Sequence, residues 1–251
     1  RGSRCDPVSV IVTEFVLPDP FSLSVIVPVW MEAAGVTETL RALQTIRTRG
    51  HEVVVVDGGS TDRTVELARP LCDRVVVAEK GRALQMNAGA AAATGDLLLF
   101  LHADTRLPDN TLEHLARFVQ TRRAWGRFDV RLSGERPLFR VIAWFMNQRS
   151  RLTGICTGDQ AMFVRRDTFE ALGGFQPMPL MEDVEFSRRL CLVSRPFCIN
   201  EPVVTDSRRW QKNGAWRTIL LMWQLRWRYW RGESPESLAQ IYRSDVRNAP
   251  K

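Results

Sequence analysis

The chain has 251 residues, 45% hydrophobic and 25% charged. That composition describes an ordinary soluble globular chain of one domain, or one domain with an appendage, and leaves room for a substantial core. Its formal charge of +7 favours anionic partners such as nucleotides, phospholipid headgroups or nucleic acid without choosing among them. The five cysteines (Cys5, Cys72, Cys156, Cys191 and Cys198) are scattered with no C-x-x-C pair, which argues against a zinc site or disulfide framework and suits a reducing cytosol. No run approaches the roughly 18 apolar residues of a spanning helix, and the N-terminal stretch lacks the apolar core of a signal peptide.

Residues 1–21 read as an N-terminal arm. From Ser22, SLSVIVPV is a short apolar run that predicts a strand, and Val36, Leu40, Leu43 and Ile46 recur at helical spacing until Gly50. EVVVVD (52–57) predicts a second strand, GGST a turn in which Ser60 or Thr61 caps a short helix, and RVVVAE (74–79) a third strand. RALQMNAGAAAA reads as an Ala-rich helix and DLLLFLHAD as a fourth strand, whose unalternating Leu/Phe run suits a parallel strand covered on both faces. Further on come a helix in NTLEHLARFVQ, a strand over 125–132, a helix in LFRVIAWFMNQRSRL and a strand in GDQAMFVRR. A short helix in DTFEALGGF, with Asp167 and Glu170 at capping-box spacing, and a helical VEFSRRL complete the series.

The alternation predicts an α/β fold with a mostly parallel, Rossmann-like central sheet and helices on both faces. In such sheets ligands bind beyond the carboxyl ends of the strands, because helices cover the faces and only the loops form a crevice. Glu32, Asp57 and Asp104 each follow a predicted strand, so three carboxylates should gather along one rim. Each could instead simply cap a turn.

Read together, the motifs resemble family 2 glycosyltransferases of the GT-A fold over about residues 22–212. The stretch SVIVPVWME is similar to the family's first strand, with Pro28 and Glu32 near the nucleotide, and VVVVDGGSTDRT to its signature second strand, with Asp57 at the base. Lys80, Gly81, Arg82 and Asn87 match the donor-side segment, and Asn87-Ala88-Gly89 match the family's small-residue helix, where glycine and alanine would let the backbone approach the ligand closely. HAD occupies the place of the family's D-x-D motif, with His102 in place of the first acid, followed by Ala103 and Asp104. The resemblance implies a divalent cation, Mn²⁺ or Mg²⁺, at Asp104, since both are hard cations that take oxygen ligands. His102 is either a further ligand or a neutral hydrogen-bonding partner. LMEDVEFSRRL resembles the family's E-D motif, which implies Asp183 as general base toward an acceptor hydroxyl and Glu182 beside it; a solvated first helical turn would look the same. Gly158, Asp159 and Gln160 fall on the acceptor side, and SRRWQKNG resembles a shortened Q-x-x-R-W element in which Arg209 and Trp210 align, with Arg208, Arg209 or Lys212 toward the diphosphate and Trp210 toward the acceptor.

The resemblance therefore implies a hexosyltransferase-type enzyme that moves a sugar from a nucleotide-diphosphate sugar, a UDP-sugar first, to an unknown acceptor with inversion. The MNAGA, GDQ and RRW segments are similar to a compact single-domain subgroup found beside radical-SAM or selenium-related genes. A sugar-nucleotide nucleotidyltransferase would want a Gly- and Arg-rich loop after the first strand, and VPVWMEAAG lacks one. A basic membrane- or nucleic-acid-binding module would leave the carboxylates unexplained, and no nucleic-acid partner is expected.

Residues 213–251 form a Trp/Arg-rich helical segment. Within 216–231, Trp216, Leu220, Trp223, Trp227 and Trp230 share one stripe of an amphipathic helix. Such a stripe serves either burial against the catalytic domain or a second subunit, the reading preferred here, or a membrane interface, where Trp and Arg are enriched. The expected location is cytoplasmic, with peripheral contact at the inner face of the membrane under the second reading.

Overall fold

Eight strands form one sheet in the order β3-β2-β1-β4-β7-β6-β8-β5 in the computed structural model, which describes residues 21–247; the expected arm lies outside these, Phe21 apart. The first half contributes β1 (Leu23–Val29), β2 (Glu52–Asp57), β3 (Arg74–Val77) and β4 (Leu97–Phe100). Within this half β1 runs parallel to both β2 and β4, and β2 to β3. The short β5 (Thr105–Arg106), β6 (Trp125–Leu132), β7 (Phe163–Arg165) and β8 (Phe197–Thr205) complete the sheet. Here β7 is antiparallel to β4 and β6, β8 is parallel to β6, and β5 is antiparallel to β8. Four of the seven pairings are parallel, so the sheet is mostly parallel, as expected.

Both faces of β1, β2 and β4 are buried, which explains their continuous apolar sequence, whereas the edge strand β3 is partly exposed. On one face Val25, Val27, Val53, Val55, Leu97 and Leu99 share a core with Leu40 of α1 (Val36–Ala42), Ile46 of α2 (Gln44–Thr48) and Phe118 of α5 (Thr111–Val119). On the other, Ile26, Val54, Val56 and Leu98 meet Met86 of α4 (Arg82–Ala92), Phe169 of α7 (Arg166–Ala171) and Phe186 of α8 (Glu182–Val193). The short α3 (Thr64–Ala68) follows β2, and α6 (Pro137–Thr153) follows β6.

Several local expectations are corrected. The helix expected up to Gly50 is broken at Leu43, whose N–H turns back to the Leu40 carbonyl. Ser60 does not cap α3, because its Oγ accepts from the Met31 N–H at 2.8 Å; Asp62 accepts from Thr64 N instead. Asp167 lies inside α7, and the capping box falls earlier, where Thr157 and Gln160 bracket a 3₁₀ turn at Gly158–Gln160. Only Phe163–Arg165 of the expected GDQAMFVRR strand is extended.

The expected helix over 216–231 is α10 (Ala215–Trp230), preceded by α9 (Arg208–Asn213) and followed by α11 (Pro235–Arg247). Its buried face is Thr218, Leu221 and Leu225, which with Leu238 of α11 and Met181 forms a small separate core. The expectation that its tryptophans pack against the domain is overturned. Trp216, Trp223, Trp227 and Trp230 are 57–76% exposed, and Leu220 is 67% exposed.

Candidate active site

A cleft of about 480 Å³ opens at the carboxyl ends of β1 and β4, a volume within the range of small-ligand sites. Its floor comes from the end of β1. Trp30 and Glu32 follow that strand into a loop held by three bonds, Met31 N–H to Ser60 Oγ, Glu32 N–H to Thr64 Oγ1 at 2.8 Å, and Ala33 N–H to Asp62 at 3.2 Å. Met31 has φ of 57°, a left-handed conformation that a side-chain-bearing residue keeps only under such constraint.

One wall is the turn before α4. Lys80, Gly81 and Arg82 line it, and the Lys80 Nζ sits 3.1 Å from the centroid of the Trp30 ring, a cation–π contact that holds both side chains at the rim. Sequence reading passed over Gln85, yet it organises this wall. Its buried carboxamide donates to the carbonyls of Val29 and Val56 at 2.8 Å each and accepts from Gly81 N–H at 3.4 Å. A lone glutamine on the sheet side of an Ala-rich helix was the available signal.

The opposite wall is the segment after β4. His102, Ala103 and Asp104 all line the cleft. The Ala103 carbonyl accepts from Thr39 Oγ1, and the Asp104 carbonyl from Asp206 N–H at 3.1 Å, so this turn is tied to α1 and to the end of β8. Burial raises the Glu32 carboxyl above its ordinary value, and the Asp104 carboxylate raises it further, while Arg208 and Arg82 oppose the shift. Two carboxylates thus line one cleft with Lys80 and Arg82.

The fourth side is the start of α8 and the C-terminal helix. Glu182 is 5% exposed and lines the cleft; burial, then the neighbouring Asp183, raise its carboxyl above the ordinary value, with Arg82 opposing. Ala239, Tyr242 and Arg243 of α11, with Pro179 and Leu180, close this side. None of these five was anticipated, since nothing local marks a distant helix as part of a cleft.

Of the other expected site residues, Asp183 and Asp57 lie outside the lining, and His102, which lines the cleft, is held by protein around its ring. Asp183 accepts from Gly158 N–H at 2.8 Å and Val184 N–H at 2.7 Å. His102 turns Nδ1 toward Asp159 at 3.4 Å, and a Cβ on Gly158 would collide with its Nε2. Both ring nitrogens therefore face protein. Asp57 is 2% exposed; its Oδ2 accepts from Gly59 and Ser60 N–H, while its buried Oδ1 meets no donor among the described residues.

Four expectations are corrected in position. Asn87 is not at the cleft, because its carboxamide clamps the Phe175 backbone with bonds of 2.7 and 2.9 Å. Gln160 is fully buried in its capping turn, and Trp210 packs with Phe139 and Ile142 of α6. Gly89, expected to admit a ligand, admits the sheet instead, since a Cβ there would run into Ile26 and Val56. Arg209 and Lys212 fall within α9, and their side chains lie outside the described residues; Arg208, beside Arg209, is the basic group that acts on Glu32.

Among the described residues no three His, Cys, Asp or Glu side chains converge to hold a metal unaided. Glu32 and Asp104, both lining the cleft, suit a hard cation that takes its remaining ligands from phosphate oxygens.

A GT-A-type sheet with a carboxylate and cation cleft at its strand tips defines a nucleotide-sugar-type glycosyltransferase fold. The chain belongs to glycosyl transferase family 2, whose family model matches residues 24–173; this removes the ground for the nucleotidyltransferase and non-enzymatic readings. A PGL/p-HBAD biosynthesis glycosyltransferase of Mycobacterium bovis is 36% identical over 104 residues, 38% of this chain and 41% of that protein. The chain thus spans about two fifths of such a relative. The mannosyltransferase PcManGT of Pyrobaculum calidifontis, in complex with GDP-Man and Mn²⁺, superposes with a TM-score of 0.63 at 25% identity, covering 90% of this chain and 70% of that one. TarS 1–349 of S. aureus, in complex with UDP-GlcNAc, gives 0.59 at 21% identity, over 74% and 59%.

Proposed function

We propose that the protein transfers a sugar from a nucleotide-diphosphate sugar to an acceptor hydroxyl by single displacement with inversion, within the compact subgroup named above. The observation that carries this reading is that Glu32 and Asp104 line one cleft together with Lys80 and Arg82, with Arg208 near enough to act on Glu32. Neighbouring carboxylates are costly unless a cation joins them, and the surrounding basic groups suit a diphosphate. Asp104 would hold the divalent cation, which when bound neutralises charge on the leaving diphosphate; the Mn²⁺ in the PcManGT complex supports this. His102, with both nitrogens facing protein, supports the turn that carries Asp104. A UDP-sugar is the first donor to test, because TarS offers a UDP-sugar precedent.

Toward the acceptor, Asp183 is the proposed base. A carboxylate suits this task because proton removal accompanies departure of the leaving group. Gly158 and Val184 N–H hold it in place. A second reading makes Glu182 the base, on the observation that it, and not Asp183, lines the cleft with a raised carboxyl. Incubation with a panel of UDP-, GDP- and TDP-sugars, with and without Mn²⁺ or Mg²⁺, tests the function through sugar-nucleotide hydrolysis and protection from thermal unfolding. Absence of metal-dependent protection by every donor would overturn it.

A further inference from the structure

Nine of the thirteen large hydrophobic side chains that the described residues expose lie on two helices, α6 and α10. On α6 they are Val141, Trp144, Phe145 and Leu152, each 50–76% exposed; on α10 they are the four tryptophans and Leu220. Single exposed apolar side chains need no explanation, but large ones gathered on neighbouring helices mark an interaction surface.

The two helices are neighbours. Phe139, Ile142, Leu138 and Met146 of α6 share a small core with Ala215 and Ile219 of α10. At about 100° per residue the exposed residues of α10 span an arc of about 80°, and Ala215 and Ile219 border it on one side. On α6 the seam residue Leu138 likewise borders Phe145. In each helix the seam separates the buried face from the exposed one, so the two exposed faces continue one another on the outside of the molecule.

The charge on this face selects its occupant. Neither helix contains a single acid; Arg149 of α6 is turned inward, Arg151 pairs with Asp129 and Arg228 with Glu233, and the other arginines are Arg140 on α6 and Arg217 and Arg226 on α10, with Arg231 just beyond. Arg231 stacks on the Trp227 ring with its guanidinium carbon 5.1 Å from the centroid. A second copy of this basic face would meet it with like charge, whereas the headgroup region of an anionic bilayer takes tryptophan rings and arginine together. No helix among the described residues is long and apolar enough to cross a membrane, so the contact would lie in the plane of the interface.

We propose that α6 and α10 form a platform that docks the protein on an anionic lipid surface. The inner face of α10 packs, through Leu221 and Leu225, against the segment carrying Met181 and Val184 and against α11, the elements that close the cleft around Glu182. Docking therefore sets the cleft at the bilayer surface, where it meets acceptors carried by lipid. This last step rests on the transferase reading above; the docking does not.

The test is flotation with vesicles of phosphatidylcholine alone and of phosphatidylcholine with phosphatidylglycerol, using the full chain and the double variant Trp223→Ser/Trp227→Ser. Both residues are exposed, so the variant should melt with the parent and keep the parent's donor-induced thermal shift, which separates failure of docking from failure of the transferase reading. The proposal expects capture by the anionic vesicles only, at least tenfold weaker capture of the variant, and release as salt rises from about 0.05 to 0.5 M. A blue shift of tryptophan emission on the anionic vesicles should accompany capture. Equal and negligible capture by both vesicle types would overturn it, as would a stable dimer in sedimentation that the double variant abolishes.

Discussion

Glu182 and Asp183 are consecutive in sequence but differ in environment, and the difference makes opposite predictions for each. Asp183 is fastened by two backbone amides, and if it is the base, Asp183→Asn should lower kcat at least a hundredfold with donor binding nearly unchanged, because it acts on the acceptor. Single-turnover transfer alongside donor titration measures both, and wild-type turnover in this variant would hand the role to Glu182. Asp104→Asn belongs to the donor instead. It should remove most of the metal-dependent part of nucleotide protection and leave the metal-free part alone, which calorimetric titration of UDP with and without Mn²⁺ would check. At this scale the sequence was informative about identity and poor on direction. The motif residues Pro28, Glu32, Lys80, Arg82, Asp104 and Glu182 reach the cleft, but a motif cannot say that Asn87 turns to Phe175, or that His102 presses on Gly158 and Asp159.

At the scale of elements, α4 shows how close packing positions a wall. Gly89 lets the helix lie so near β1 and β2 that an added methyl would strike Ile26 and Val56, and this approach allows Gln85 to reach both strand ends. Gly89→Ala should therefore destabilise the protein by about 1–3 kcal/mol despite alanine's better helix propensity, with chemical denaturation as the measurement. Donor affinity should fall with it, since Arg82 opens the same helix and Lys80 and Gly81 lead into it. β1, β2 and β4 were legible because burial on both faces leaves an unmistakable apolar run. β8 was not, because Asn200 and Glu201 interrupt it where its register against β6 slips between Phe128 and Asp129, so it carries neither a continuous run nor an alternation. α11 escaped notice because a stretch as polar as PESLAQIYRSDVR shows its one buried edge, Leu238 and Ala239, only once α10 is in place.

The whole molecule stores charge in its cleft, and its stability should report this. Glu182 and Glu32 both have folded-state carboxyls raised above the unfolded value. Their contribution to stability is therefore full below about pH 4.5, near the unfolded value, and is lost as pH rises through the folded values. Glu182→Gln removes this loss. The variant should match the parent in stability near pH 4.5 and exceed it at neutral pH by an amount on the order of 1 kcal/mol, while its transfer activity does not rise. Thermal melting across that range would show the two curves diverging with pH; parallel curves would remove the buried charge of Glu182 from the account.

The sequence by itself determined the βα alternation, the α/β class, the family and the kinds of groups that gather at the strand tips, because these depend on local periodicity and on residue types at short spacing. Only the tertiary structure decided which face each side chain presents. It put α11 across the cleft, left Asp183 behind Glu182, and turned the tryptophans of α10 outward with Trp144 of α6. The physical reason is that a helix carrying apolar residues around most of its circumference can bury either side. For α10, Leu221 and Leu225 fit the small core around Met181 and Leu238, and that choice sent the larger, flatter rings to the surface.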